Sequence, residues 1–290
     1  MNRSSLPMSK TRRLTLLLAA LGLGATLLAQ FGGFRGFGGG QIYVDNETKT
    51  AREIGTRSVG TPEWTNPVGF EKDVFTFARL RYDSPGRSIP VGRNRGGWTT
   101  DLPDADLNLS YRLQQMTAIK VDPNARLVRA TDPDLADFPF LFISAPGSLA
   151  LTDDEVTALR AYLQNGGFIL MTDSWGDNDE NNVNRVFQRV LPGSKFIELP
   201  IEHPLYHAVF NITEKAQVPN IRIGMKIPGT RIAHRVILDD KGRIMAMSLH
   251  NSDDSDGWER EGEDHDYFEQ YSEKIAYPLA MNILIYQMTH

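Results

Sequence analysis

Between Phe138 and Gly176 two apolar runs flank one amphipathic helix with almost no slack, and this spacing constrains the fold more than any other part of the chain. Phe138-Pro-Phe-Leu-Phe-Ile-Ser-Ala-Pro-Gly147 is an apolar run closed by turn residues, and Gly167-Phe-Ile-Leu-Met-Thr-Asp-Ser-Trp-Gly176 repeats the pattern. Between them Thr152-Asp-Asp-Glu155 reads as a capping box, in which the Thr and Glu side chains satisfy the free amides of a helix start. Val156, Leu159, Arg160 and Leu163 supply the helical stripe, and Asn165-Gly166-Gly167 closes it. Apolar runs without alternation are strands buried on both faces. The segment is therefore a βαβ unit with a right-handed crossover, and a parallel sheet follows from it.

The remaining elements fit around that unit. Residues 74–82 alternate as a first strand stopped by Asp83-Ser84-Pro85-Gly86, and a Gly- and Arg-rich loop from Arg87 to Asp101 leads to a helix over Ala105–Ala118. Arg126–Ala130 is a short second strand, Asn181–Leu191 a helix and Lys195–Leu199 a fifth strand. Arg231–Leu238 and Arg243–Leu249 flank Asp239-Asp240-Lys241-Gly242 as an antiparallel hairpin, and a helix over Tyr267–Met288 closes the chain. The expected architecture is a doubly wound parallel sheet of order 2-1-3-4-5 with helices on both faces and a C-terminal hairpin plus helix.

Composition bounds the class of partner. The chain has 290 residues, 31 Lys and Arg against 36 Asp and Glu, a net charge of -5 and no cysteine. A mildly acidic chain without a basic cluster beyond its first residues is a poor match for nucleic acid, whose phosphates require one. Without cysteine there is no disulfide, thiolate nucleophile or lipid-anchored cysteine. Lys10, Arg12 and Arg13 precede a low-polarity run from Leu14 to Ala29, the pattern of a signal peptide over residues 1–29. Export to the periplasm or beyond is expected, with anchoring to the membrane if the segment is retained. Residues 30–41 form a Gly/Phe-rich linker and 42–72 an irregular extension anchored by Trp64 and Phe70. The folded domain spans 73–290.

In a doubly wound sheet the ligand crevice lies beyond the carboxyl ends of the strands, where strand order reverses. That edge collects Asp83 and Ser84 from the first strand, Ser144 and Gly147 from the third, and Asp173 and Trp175 from the fourth, with Gly97 and Trp98 on the preceding loop. These are the expected ligand-binding residues. Asp173, a carboxylate at a parallel strand's end, is the first catalytic candidate, although Asp in that place also caps helices. Ser174 with His203 or His207 as base is a second candidate, but the flanks Thr172 and Gly176 depart from the Gly-x-Ser-x-Gly pattern of a nucleophile elbow. Trp98, Trp175 and Trp258 have faces on which a sugar can stack; buried core aromatics look the same in sequence. The segment Ser252–Glu263 places Asp254, Asp256 and Glu263 near calcium-loop spacing, but Ser252 stands where the first Asp belongs. A solvated acidic loop with no metal is the expectation, and no cofactor is called for.

Several features occur together: Glu63-Trp64, Asp73-Val-Phe-Thr-Phe77 with Arg81-Tyr82-Asp83-Ser84, Gly97-Trp98, Asp173-Ser174-Trp175-Gly176, His203-Pro204, Trp258-Glu259 and the terminal run Asn282 to His290. In these the chain resembles the bacterial "domain of unknown function 4159" proteins over nearly everything after the linker. The resemblance implies an exported or membrane-associated protein with a flavodoxin-like domain similar to the class I glutamine amidotransferase-like fold. Amidotransferases of that fold use a cysteine nucleophile, which this chain lacks. The expected function is an exported binding or interaction module, not an amidotransferase, that holds a small polar ligand or an envelope partner at the strand ends. A metal- or Asp-dependent hydrolase in the same crevice is the alternative, so the enzyme question stays open.

Overall fold

Apolar runs that cannot face water set the middle of the sheet. In the computed structural model β3 (Phe140–Ser144) and β4 (Phe168–Ser174) pair in parallel, from Phe140 opposite Phe168 to Ser144 opposite Thr172, with every residue of β3 buried. The crossover helix α2 (Asp153–Gln164) starts at the expected capping box: Glu155 N donates to Thr152 Oγ1 over 3.2 Å, and Thr152 N to Glu155 Oε2 over 2.9 Å. The structure describes residues 44–70, 73–84, 97–221 and 230–290. The leader, the Gly/Phe tract and residues 87–96 of the Gly/Arg loop lie outside them.

Seven strands form one mostly parallel sheet in the order β2-β1-β3-β4-β7-β6-β5. β1 (Ala78–Leu80) lies between β2 (Arg126–Val128) and β3, parallel to both. It is shorter than its alternating sequence predicts, because only these three residues stay in ladder register; Phe75 makes an isolated bridge to Val121 instead. The first four strands follow the expected order, but the fifth place does not go to the fifth strand. β7 (Ile244–His250), buried along its whole length, takes the site parallel to β4, and β6 (Ala233–Leu238) pairs antiparallel to it. β5 (Ile197–Glu198) is a two-residue, exposed edge strand antiparallel to β6. Burial explains the exchange: the apolar strand takes the central place, and the short, partly charged one is left at the rim.

The helices divide by topology. The connection from β1 to β2 through α1 (Asp104–Met116) runs one way across the sheet, and that from β3 to β4 through α2 runs the other. Right-handed crossovers in opposite directions place α1 and α2 on opposite faces. α3 (Gly176–Val190) packs on α2. It begins five residues before the predicted Asn181, because its first turn is polar and carries no apolar period; Asp179 Oδ2 instead accepts from the Trp175 amide over 2.8 Å. On the α1 face α4 (Asp254–Glu259) follows β7, and α5 (His265–Tyr267), a π-helical stretch (Phe268–Ala276) and α6 (Tyr277–Thr289) run on to the terminus. Phe77, Phe140 and Phe142 form the aromatic floor beneath them, with Trp258 of α4 against Phe142 at 5.6 Å between ring centres. The extension crosses the β2 end, where the Trp64 indole donates to Val121 O. Phe70 anchors nothing there and is 40% exposed. Among the described residues no helix is long and apolar enough to cross a membrane.

A buried histidine makes the fold acid-sensitive. His234 of β6 is 1% exposed, its Nδ1 is 3.0 Å from the Tyr206 hydroxyl, and Nε2 meets no partner among the described residues. Burial holds the imidazole neutral down to about pH 3, against an ordinary value of 6.5. Between those values the unfolded chain takes up a proton that the folded chain refuses, so stability falls as the pH drops from 6.5 toward 3. Denaturant titrations at pH 7 and pH 5 are expected to lose about 2 kcal/mol through this group, a loss that His234→Gln removes. Equal pH slopes in the two proteins would assign the acid sensitivity elsewhere.

Candidate functional site

Three parallel strands and one loop deliver polar residues to the carboxyl edge of the sheet. The Tyr82 hydroxyl, just past β1, is 2.8 Å from the carbonyls of both Ser144 and Ala145 at the end of β3, and shares its proton between them. Gly97 opens the loop above, so close that a Cβ there would stand 3.0 Å from Ser84 Oγ and 3.4 Å from Ser148 Oγ. Arg79 of β1 holds that loop down, donating from Nη1 to Trp98 O over 2.9 Å and to Thr100 O over 2.7 Å. The backbone is strained around this edge. Asp101, Ala145, Asp173 and Asn251 all adopt left-handed φ values between 49° and 62°. L-residues adopt that conformation at a cost of about 1 kcal/mol or more, and such residues concentrate where a site is being shaped.

The expected ligand-binding residues separate on inspection. Asp83 is exposed and Ser84 half-buried, with the Asp83 carbonyl accepting from Ala150 N. Ser144 is fully buried and its Oγ has no partner among the described residues. Gly147 lies under α3, where a Cβ would overlap the Asp179 carboxylate, so a packing need accounts for the glycine. Two of the three expected stacking faces are closed: Trp98 is 6% exposed under the Arg81 guanidinium, and Trp258 is completely buried. Trp175 remains half-open, its indole donating to Asp173 Oδ1 over 2.7 Å.

Asp173 stands among carboxylates that its own neighbourhood in sequence does not announce. Asp253, the N-cap of α4, neighbours it, and the charges of Asp101 and Asp256 bear on it from the loop and from α4. Burial, reinforced by Asp101 and Asp256, pushes the Asp173 carboxyl up to about 7 against the Trp175 bond. Burial and the neighbouring Asp173 push Asp253 well above the usual carboxylate range. Close carboxyls that cannot all ionise share protons, so a protonated acid persists here near neutral pH.

The acidic segment after β7 is neither a solvated loop nor a calcium loop. Asp253, Asp254, Asp256 and Glu259 are each at most 1% exposed, because the segment forms α4 against α1 and the sheet. Of the three residues at calcium-loop spacing, Asp254 is buried beside Thr172, Glu263 pairs with Arg260 at 3.0 Å, and Asp256 alone joins the cluster. Asp101, Asp256 and Glu259 each bring a carboxylate oxygen within 4.8 Å of the other two. Asp101 and Glu259 were not foreseeable as partners: one follows a Gly/Trp loop and the other a tryptophan, and neither sits in a pattern of metal ligands.

Ser174 has a histidine partner, though not an expected one. Its Oγ is 3.2 Å from His250 Nδ1, and His250 Nε2 is 3.5 Å from Glu180 Oε2, so serine, imidazole and carboxylate form a chain. Ser174 is 0% exposed and burial keeps His250 neutral; the chain ties β4 to β7 and α3 and has no open face for a substrate. His203 caps a short turn through Leu205 N and packs on Tyr286, while His207 bonds Asn211 and Ile201.

Fold and site together define an α/β protein with left-handed backbone positions and a buried carboxylate cluster at the carboxyl edge of a mostly parallel sheet. The chain belongs to the family described as Domain of unknown function (DUF4159), whose model matches residues 76–288. No curated protein matches it.

Proposed function

We propose that the protein is an exported binding module that holds a small polar ligand at the carboxyl edge of its sheet, on the half-open surface formed by Asp173 and Trp175. The observation that carries this reading is Asp173 itself: a left-handed, half-buried aspartate at the end of a central strand, bonded to an indole and facing a second acid. A carboxyl donor, a carboxylate acceptor and an aromatic edge in one place suit hydroxyl- or amide-bearing ligands. The resemblance implies an amidotransferase-like scaffold, in which the lack of cysteine favours binding over glutamine hydrolysis, and the basic, apolar leader favours export.

Asp173→Asn tests it. Asn tolerates the left-handed conformation, so the variant should stay within about 1 kcal/mol of the parent in stability. Thermal melts against sugars, nucleotides, amides and amino acids are expected to find a class that raises the midpoint by about 5–10 °C near 100 times its Kd in the parent and not in the variant. Silence across the panel in the parent would remove the small-ligand reading and leave an envelope partner.

The shared proton near neutral pH favours a second reading, an Asp-dependent hydrolase in which Asp173 relays a proton to or from water. Turnover of ester, amide or glycoside substrates that survives unchanged in Asp173→Asn would exclude that role.

A further inference from the structure

Below half-buried Asp173 and Trp175, burial and charge do not balance. Asp101 is 5% exposed, Asp256 1% and Glu259 1%, and they converge from the Gly97–Asp101 loop and from both turns of α4. Arg260 answers part of this charge: its Nη2 is 2.6 Å from Glu259 Oε2 and its Nε is 3.4 Å from Asp256 Oδ1, but its Nη1 is given to Glu263. Ile221 N donates to Asp256 Oδ2. Among the described residues no donor reaches Asp101 Oδ2 or Glu259 Oε1. A buried carboxylate oxygen without a donor is among the most costly groups a fold can retain, and a bound cation is one of the ways of relieving it.

We propose that Asp101, Asp256 and Glu259 form a binding site for one hard divalent cation of the calcium, magnesium or manganese class. Three carboxylates with no nitrogen or sulfur donor select that class over zinc or copper. Their oxygens lie mutually within 4.8 Å, inside the roughly 5 Å that separates oxygens on opposite sides of one calcium ion. The unpartnered oxygens of Asp101 and Glu259 are carried by two of these three residues, so unmet hydrogen-bonding capacity falls within the trio. Arg260 becomes the outer partner that orients Asp256 and Glu259. The ion would cross-link the loop before α1 to α4, the two segments that approach Asp173 from the α1 face. The site does not use the Asp173 carboxyl, although the charges of Asp101 and Asp256 bear on that group.

The test is metal content and melting of the full-length chain, stripped with EDTA and reloaded separately with Ca2+, Mg2+ or Mn2+. About one equivalent of at least one ion should be retained after desalting, and the midpoint should rise with the logarithm of free cation concentration. Asp101→Asn and Glu259→Gln, which keep the shape and remove a charge, should each weaken that ion's apparent Kd by about 100-fold or more, beyond what loss of an orienting partner does. Stripped of metal, these variants should melt no lower than the stripped parent. Asp173→Asn should retain the ion. If the parent retains none of the three ions and its midpoint ignores them, the trio is held by protons and the proposal fails. If an ion binds equally well to Asp101→Asn and Glu259→Gln, its site lies elsewhere and the assignment fails as well.

Discussion

Replacing Asp106 by Ala is expected to destabilise the protein by about 3–5 kcal/mol, because it leaves a guanidinium stranded in the core. Arg79 and Asp106 are an ion pair whose side chains are both 0% exposed, under α1 and against the aromatic floor of the sheet. The Arg79 guanidinium lies 4.9 Å from the centre of the Phe142 ring, and its remaining donors hold Trp98 O and Thr100 O. Desolvating both ions is expensive, so the pair itself adds little; the penalty arises when one partner is removed and the other stays. A volume-matched apolar pair, Arg79→Met with Asp106→Leu, should therefore recover most of the stability in urea titrations. It should not recover the loop. Without Arg79 the carbonyls of Trp98 and Thr100 lose their anchor, and Asp101 loses its register against α4. A single Asp106→Ala variant that lost less than about 1 kcal/mol would mean that water reaches Arg79 and that this layer is not dry.

Trp258→Ala should have an effect of similar size, about 3–5 kcal/mol, for a different reason. The ring is 0% exposed, packs on Phe142, and donates its indole hydrogen to Ala276 O over 3.2 Å at the end of the π-helical stretch. Its neighbour Gly257 is pressed against Ala276, where a Cβ would stand 2.5 Å from the alanine methyl. The side chain thus fixes α4 between the sheet and the terminal helix, and its loss opens a cavity that a helix of six residues cannot close. Trp258→Phe keeps most of the apolar volume and removes the indole bond to Ala276 O, so about 1–2 kcal/mol is expected. Thermal melts of the two variants separate packing from hydrogen bonding, and equal losses would show that the indole bond and not the ring volume holds α4. Because α4 carries Asp256 and Glu259, the alanine variant should also lose any cation response.

Local signals were strong where the physics is local. The capping box at Thr152–Glu155, the closing glycines and the two apolar runs act over a few residues, and the βαβ unit they imply is present. α3 was harder to delimit, since its first turn is satisfied by Asp179 and shows no apolar period. The position of β7 was not legible. Its run of buried residues looks like any hairpin strand, and only competition for the central place beside β4 decides between it and β5. Trp98 and Trp258 illustrate the same limit: an indole offers a ligand face or fills a core with identical sequence, and the layer of helices above decides which.

The chain by itself determined that a parallel sheet forms, which residues turn it, and that Asp173 ends a buried strand at the edge where such sheets bind ligands. These follow from periodicity, capping and turn chemistry, which are written in neighbouring residues. Only the tertiary structure decided that Asp101, Asp253, Asp256 and Glu259 gather around that edge, that Ser174 pairs with His250, and that an acidic segment is buried. The reason is that a carboxylate's surroundings are set by segments distant in the chain. A run of Asp and Glu is solvated unless other elements cover it, and here β7 carries it into the space between the sheet and α1.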